Sequence, residues 1–485
     1  MTLSDLMLNI QVILPMTLLI AWSCILLLVD LIIPKGRKGW TALLAALGLL
    51  LSLGLTIYQA GWVSSGFNGM VIHDGFSSFL NILFLGSGLA GITIAFDYLR
   101  RMDIERGEYY ILLLFSISGM MLMSQANDLI VVFLALELLS IPLYVLSGFA
   151  RPRVESEEAA LKYFLMGAFA GGFVVFGVAL VFGATGTTNL GAIVNAISAN
   201  TANMQLLTIG AALILVGMGF KVAVVPFHMW TPDVYQGAPS AVSAFMSVGA
   251  KAAGFAALLR IFITAFPSLA NEFTMVFWTI SALTMFLGNV VAIAQGNIKR
   301  MLAYSSIAHA GFIMMALVPF GNATVNPDVV SASLFYLVAY AFTSFGAWAV
   351  VIALEKAEGG GLNLDDYAGL GRKYPLLAAS MAVFMLSFTG VPPTLGFMGK
   401  FYLFRTVIEG GYLGLALIGV FTSLISAYYY LRVIVIMYMR EGEPMARKEF
   451  WVRFTAAAAA ILVVVLSLAA EPLLNLASKA VLTIF

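Results

Sequence analysis

Apolar residues do not alternate along this chain. They run on for about the thickness of a bilayer, break at a short polar connection, and start again. About 20 apolar residues cross the hydrocarbon core as a helix, whereas a barrel strand needs about 10 alternating ones. In lipid the backbone must satisfy its own hydrogen bonds, so only helices and closed barrels span. The pattern therefore predicts an all-α polytopic membrane protein. Fourteen spans are predicted, near 9–33, 40–60, 75–98, 109–125, 128–149, 158–183, 205–227, 239–265, 273–295, 300–320, 328–354, 376–408, 412–439 and 454–483. The twelfth is interrupted and the last is ragged at its end.

Charge in the connections supports that count. Lys35, Arg37 and Lys38 follow span one, Arg100, Arg101 and Arg106 follow span three, and Arg151 and Arg153 follow span five. Lys299 and Arg300 follow span nine, Lys356, Arg372 and Lys373 follow span eleven, and Arg440, Arg447, Lys448 and Arg453 follow span thirteen. The connections 61–74 and 321–327, after even-numbered spans, carry no Lys or Arg. Basic loops stay inside, so both termini are expected outside. The connection Thr231–Gly237 is the one inner loop expected without a basic residue. Glu355 to Pro375, with three consecutive glycines, reads as a flexible inner connection.

Composition narrows the class. Of 485 residues, 61% are hydrophobic and 10% charged, against about 25% charged in soluble domains. The net charge of +1 gives no reason to expect a nucleic-acid partner; the lipid bilayer is the expected surrounding. The single Cys24 excludes a disulfide framework, and no Cys/His spacing suits a metal. The start Met-Thr-Leu-Ser-Asp lacks a basic n-region, so span one is read as retained. With no presequence, a bacterial plasma membrane is the expected location.

Two spans break in a related way. GFKVAVVPFHMWTPD occupies 219–233 and SFTGVPPTLGFMGKF occupies 387–401. Pro226 is expected to free the carbonyl of Val222, and Pro392 and Pro393 those of Phe388 and Thr389. A lysine stands near each break, Lys221 before one and Lys400 after the other. The broken spans are five apart, and a five-helix unit repeated in tandem must insert upside down. Broken helices in matching places of two halves point to inverted repeats around a path near mid-bilayer. The expected organisation is an N-terminal segment 1–108, repeats 109–265 (spans four to eight) and 273–439 (spans nine to thirteen), and a final helix 440–485.

The chemistry lies in the few ionisable residues inside the spans. A charge at mid-bilayer costs about 2.5–3.5 kcal/mol on insertion scales, and such groups usually line a path or a protein interior. Glu137 is the one carboxylate placed deep, with Lys162 or Lys221 as partner. Lys162 is near the inner end of span six, where it either snorkels or joins a path. Lys221, Lys251 and Lys400 have no such escape. Amines outnumber deep carboxylates, so pairing cannot satisfy them all. An amine that toggles near neutral pH needs about 4 kcal/mol of differential interaction between its two forms. His309 stands in span ten beside Ser305 and Ser306 and suits a proton relay. His228 follows the Pro226 break and is expected near the inner end of the path. His73 looks incidental, and Tyr428 to Tyr430 read as packing. A row of such groups suits protons better than sugars or amino acids.

The run GFKVAVVPFHMWTPDVYQGAPSAVSAFMSVGAK at 219–251, NIKRMLAYSSIAHAGF at 297–312 and GVPPTLGFMGKFYLF at 390–404 resemble the antiporter-like subunits of respiratory complex I. The resemblance covers nearly the whole chain. Lys400 in span twelve, Tyr235 in PDVYQGAP and the absence of a long lateral helix set it apart from the L and M branches. The resemblance implies proton translocation coupled to quinone reduction elsewhere in the complex, through Glu137, Lys221, Lys251, His309 and Lys400. It implies M, L and small membrane-arm subunits as partners, with flavin, iron–sulfur clusters and quinone on other chains and no cofactor on this one. A subunit of a Na⁺/H⁺ antiporter and a passive membrane scaffold are the competing readings.

Overall fold

The computed structural model describes residues 9–357, 359–480 and 482–483; the reading of the first five residues lies outside them. Helix stands in every one of the fourteen predicted stretches. Among the described residues, eleven helices are long and apolar enough to cross a membrane. Span eight (Ser240–Thr264) and span eleven (Asn326–Leu354) form the axis, the first buried throughout and the second nearly so. Helices apolar all round belong in the centre of a bundle. Span one (Leu14–Ile32), span two (Gly39–Tyr58) and the last long helix (Phe450–Leu468) present most of their surface outward.

Small residues bring the helices together. A Cβ on Gly119 would lie 2.3 Å from the backbone nitrogen of Leu139, and one on Gly177 would lie 2.7 Å from the carbonyl of Gly210. Bilayer helices gain no hydrophobic drive from each other and pack through such close approaches.

Three details recur in the two halves. Leu129 N–H donates to Thr188 O and Leu190 N–H to Asn127 O at the start of span five; Ile298 N–H donates to Leu362 O and Leu364 N–H to Gly296 O at the start of span ten. The first half of span seven (Met204–Val222) ends on left-handed Ala223, and Val224 N–H returns to Gly219 O. The first half of span twelve (Pro375–Thr389) ends on left-handed Gly390, and Val391 N–H returns to Leu386 O. Arg260 on span eight donates to Ser124 O at the end of span four, and Arg432 on span thirteen donates to Ile293 O at the end of span nine.

Several expectations change. Span seven is broken as expected, but its second half is Trp230–Gly237, so Thr231–Gly237 is helix and not loop. The left-handed turn at Ala223 ends the first half before Pro226 is reached. The connection 355–375 is not a plain flexible loop, because Leu364–Tyr367 and Leu370–Lys373 are helical turns and Asn363 pairs with Asn297. An extra helix, Leu190–Ser198, lies between spans six and seven, capped by Asn189. The last span is two helices, Phe450–Leu468 and Ala470–Ser478. His73 is not in a plain loop: it is buried on the strand Val71–His73, which pairs with Ser64–Gly66, and its Nε2 lies 3.2 Å from Gln59 O.

Candidate functional site

The broken ends decide where the amines point. Lys221 occupies the last turn of its half-helix and is 5% exposed. It donates to Ser140 Oγ at 2.8 Å and Tyr163 Oη at 3.1 Å. Tyr163 is held by Trp230, stacked on it at 4.5 Å between centroids. Trp230 Nε1 in turn donates to Phe220 O in the last turn of the half-helix, a carbonyl that also accepts from Ala223 N–H. The break thus builds its own lysine pocket.

Glu137 lies one turn before Ser140 on span five (Leu129–Ser147) and is half-buried. It makes no ion pair within 4 Å among the described residues. A cavity of about 10 Å³ lies among Glu137, Ser140, Tyr144 and Lys221, near the smallest space that holds one water. Lys162 is not the partner of Glu137. It pairs with Asp233 at 2.8 Å and Glu158 at 2.6 Å, and its side chain is 41% exposed. Asp233 also binds Arg300 at 2.7 Å. Lys162 therefore stands in a partly exposed network of ion pairs on the side of the basic loops.

Lys251 follows a π-helical turn, Met246–Ala250, that interrupts span eight. Such turns re-aim side chains and are common at functional sites. The amine, 2% exposed, donates to both the carbonyl and the hydroxyl of Ser306. Ser305, the next residue back on span ten (Ile298–Ala316), bonds the hydroxyl of Tyr430. Tyr430 lies 3.2 Å from His309 Nε2, and Tyr336 bonds His309 Nδ1. Ser305, Ser306 and His309 are thereby brought together with Lys251.

Lys400, 4% exposed, sits one turn into Leu395–Glu409. It donates to Thr389 O at 3.0 Å and Ser423 Oγ at 3.1 Å. The Thr389 carbonyl is one that Pro393 was expected to free, and the lysine itself satisfies it. Phe312 and Phe388 stand between this amine and His309, 4.6 Å from Lys400 Nζ and 5.1 Å from the imidazole. His228 is buried beyond Pro226, and its Nδ1 has no partner among the described residues.

Sequence reading missed the hydroxyls. Ser140, Tyr163, Tyr336, Ser423 and Tyr430 are ordinary residues in apolar runs. Only Ser140, one helical turn from Glu137, carried a positional signal. Tyr430, read as packing, is a hydrogen-bond partner of His309.

Residues 126–426, which hold all of these groups except Tyr430, match the transmembrane family of NADH:quinone oxidoreductase and Mrp antiporters. A protein of Chloroflexus aggregans named NADH-quinone oxidoreductase subunit N is 46% identical over 98% of both chains. The chain belongs to the subunit N family of NADH–quinone oxidoreductase. A Trichlorobacter lovleyi relative of the same name is 46% identical over 94% of this chain and 92% of its own. Among solved structures, a chain of respiratory complex I from Thermus thermophilus superposes with a TM-score of 0.82 at 36% identity, covering 96% of this chain and 99% of that one. A chain of the Mrp complex from Dietzia superposes at 0.84 with 21% identity, covering 96% of each, which shows a shared fold.

Proposed function

We propose that this chain is a proton-translocating subunit in the membrane arm of complex I, and that its own residues move protons rather than electrons. The observation that carries the reading is the state of the three buried amines. Lys221, Lys251 and Lys400 are each 5% exposed or less, yet all their hydrogen-bond partners are neutral oxygens. A scaffold would do better with apolar side chains there, because an uncompensated buried charge is costly. Groups that change charge during turnover explain the cost.

In this reading Glu137 approaches and leaves Lys221 through the one-water gap between them, favouring in turn the charged and the neutral amine. Lys251, the hydroxyls of Ser306, Ser305 and Tyr430, and His309 carry the proton onward, and Lys400 delivers it. The recurring caps and broken ends support two inverted repeats, spans four to eight and nine to thirteen. The basic connections are cytoplasmic and both termini lie outside. Flavin, iron–sulfur clusters and quinone belong to other subunits of the assembly, and the neighbours of this chain are the other membrane-arm subunits.

Lys221→Met, Lys251→Met and Lys400→Met in the assembled complex test this. Quinone reduction and proton uptake are measured together in sealed vesicles. Each substitution is expected to lower coupled turnover or the proton-to-electron ratio. Full turnover at an unchanged ratio for all three would remove the proposal.

A further inference from the structure

A cavity of about 610 Å³ opens on the side of the basic loops, between the start of span six, the second half of span seven, the start of span ten and the end of span eleven. Its wall holds titratable groups that the lysine path does not use. Glu355, the cap residue of span eleven, is 4% exposed. Its Oε1 accepts from Tyr98 Oη at 3.4 Å, and its Oε2 has no partner among the described residues. Two more buried oxygens nearby are also unpartnered: the hydroxyl of Tyr367, which faces Glu355, and that of Ser240, whose N–H donates to Tyr98 Oη. Lys299, 2% exposed, lines the same cavity and donates to Ala238 O. Arg153, Lys162 and Arg300 line the cavity as well, with the carboxylates Glu155, Glu158 and Asp233, and Arg101 lies over the Tyr98 ring. Unpartnered buried oxygens beside a roomy polar cavity are where ordered water sits.

Ser240 also begins span eight, the helix that carries Lys251. Ser240, Ser243 and Ser247 fall at i, i+3 and i+7, on one face. Ser247 bonds Ser344 at 2.9 Å. The π turn then swings the helix face, and Tyr340 takes up the line: its hydroxyl lies beside Ser247, Ser344 and Ser306. Ser306 holds Lys251. Eleven residues of helix separate Ser240 from Lys251, about 16 Å at 1.5 Å per residue.

We propose that this cavity is the proton-uptake vestibule of the chain, and that Glu355 hands protons from its water to the serine ladder of span eight, which delivers them to Lys251. The inference rests on the proton-translocating function above and adds where the proton comes in. Glu355 carboxylate takes a proton from cavity water and returns it to water or hydroxyl on the Ser240 side, so the group is restored each cycle. Tyr98 and Lys299 position the carboxylate.

The test uses the intact complex in sealed vesicles, with Glu355→Gln. Coupled turnover is expected to fall at least threefold, more steeply as pH rises, because the variant loses its proton-collecting group. Acetate or formate at millimolar concentration, small enough to enter the cavity as proton donors, should restore at least half of the loss without speeding the parent. An unchanged rate overturns the proposal, and so does a loss that no weak acid restores, since that marks Glu355 as structural. Should this variant not assemble, Gln236→Cys at the cavity wall is compared before and after a bulky thiol reagent. A threefold fall on labelling, absent from the labelled parent, supports the vestibule; no change overturns it. Lys251→Met run in parallel separates the two readings. If it blocks pumping while the vestibule variants are silent, only the uptake route fails; if it too is silent, proton translocation through this chain fails.

Discussion

Asp74 and Arg260 form an ion pair with side chains 0% and 1% exposed. Asp74 caps span three by accepting from Ser77 N–H at 2.8 Å, takes Arg260 Nη1 and Nη2 at 3.0 and 2.9 Å, and accepts from Thr483 N–H at 3.2 Å. Arg260 also donates to Ser124 O from Nε and Nη2. One contact thus ties spans three, four and eight to the C-terminal segment. Removing one partner of a buried pair costs about 3–5 kcal/mol, most of it the charge left behind. Asp74→Asn keeps the helix cap but strands Arg260; Arg260→Met strands Asp74. Each is expected to cost about 3–5 kcal/mol. The double variant strands no charge, so its cost should not exceed that of the worse single. The resulting coupling is about 3 kcal/mol, roughly two powers of ten in the unfolding equilibrium. Reversible unfolding of the purified chain in mixed micelles, followed by tryptophan fluorescence, measures all three variants. If the double variant equals the sum of the singles to within about 0.5 kcal/mol, the two groups act independently and the reasoning fails.

Gly254→Val should press on Val222, which lies 2.6 Å from the position of the new Cβ, and on the Lys221 stem at 3.4 Å; overpacking of about 1–3 kcal/mol should appear in the same unfolding assay with a fall in pumping. Tyr430→Phe removes the hydroxyl shared by His309 and Ser305, so the proton-to-electron ratio should drop while the complex still assembles, which native gels and vesicle assays report together. Burial holds His73 below the ordinary imidazole value despite the Gln59 carbonyl and Asp74. Its folded form therefore resists protonation: the stability contribution is complete above about pH 6.5 and is lost as pH falls through the lower folded value. The unfolding midpoint should decline on acidification over that window, and His73→Gln should flatten the decline. The exposed Lys373–Glu443 pair, 2.6 Å apart, should contribute nothing measurable, as exposed pairs usually do; Glu443→Gln checks this in the same denaturation series.

Much of the site was legible because charge is rare in this chain. Lys221, Lys251 and Lys400 stand out from apolar runs without any knowledge of their neighbours, and Pro226 and Pro393 mark the breaks beside two of them. All three are buried inside the bundle. The partners were not legible. Tyr163, Tyr336 and Tyr430 lie in apolar runs where many tyrosines merely pack, and their hydroxyls acquire meaning only when a second helix brings a lysine or histidine to them. Lys162 shows the same limit: its place near a span end left two roles open, and its pairing with Asp233, 71 positions away in sequence, leaves no mark in the chain.

By itself the sequence determined what a bilayer demands. Apolar runs of spanning length fixed the helical class, basic connections fixed a consistent alternation, and ionisable residues within the runs marked the chemistry. These are local properties, since insertion cost depends on each side chain and its depth. Tertiary structure decided the rest: that the breaks are full stops with left-handed ends, that Glu137 and Lys221 line one small cavity without forming an ion pair, and that hydroxyls from spans five, six, ten and thirteen close on the amines. Those facts depend on which helices pack together. Hydrogen-bond partners brought from 23 to 125 residues away leave no periodic trace in the chain.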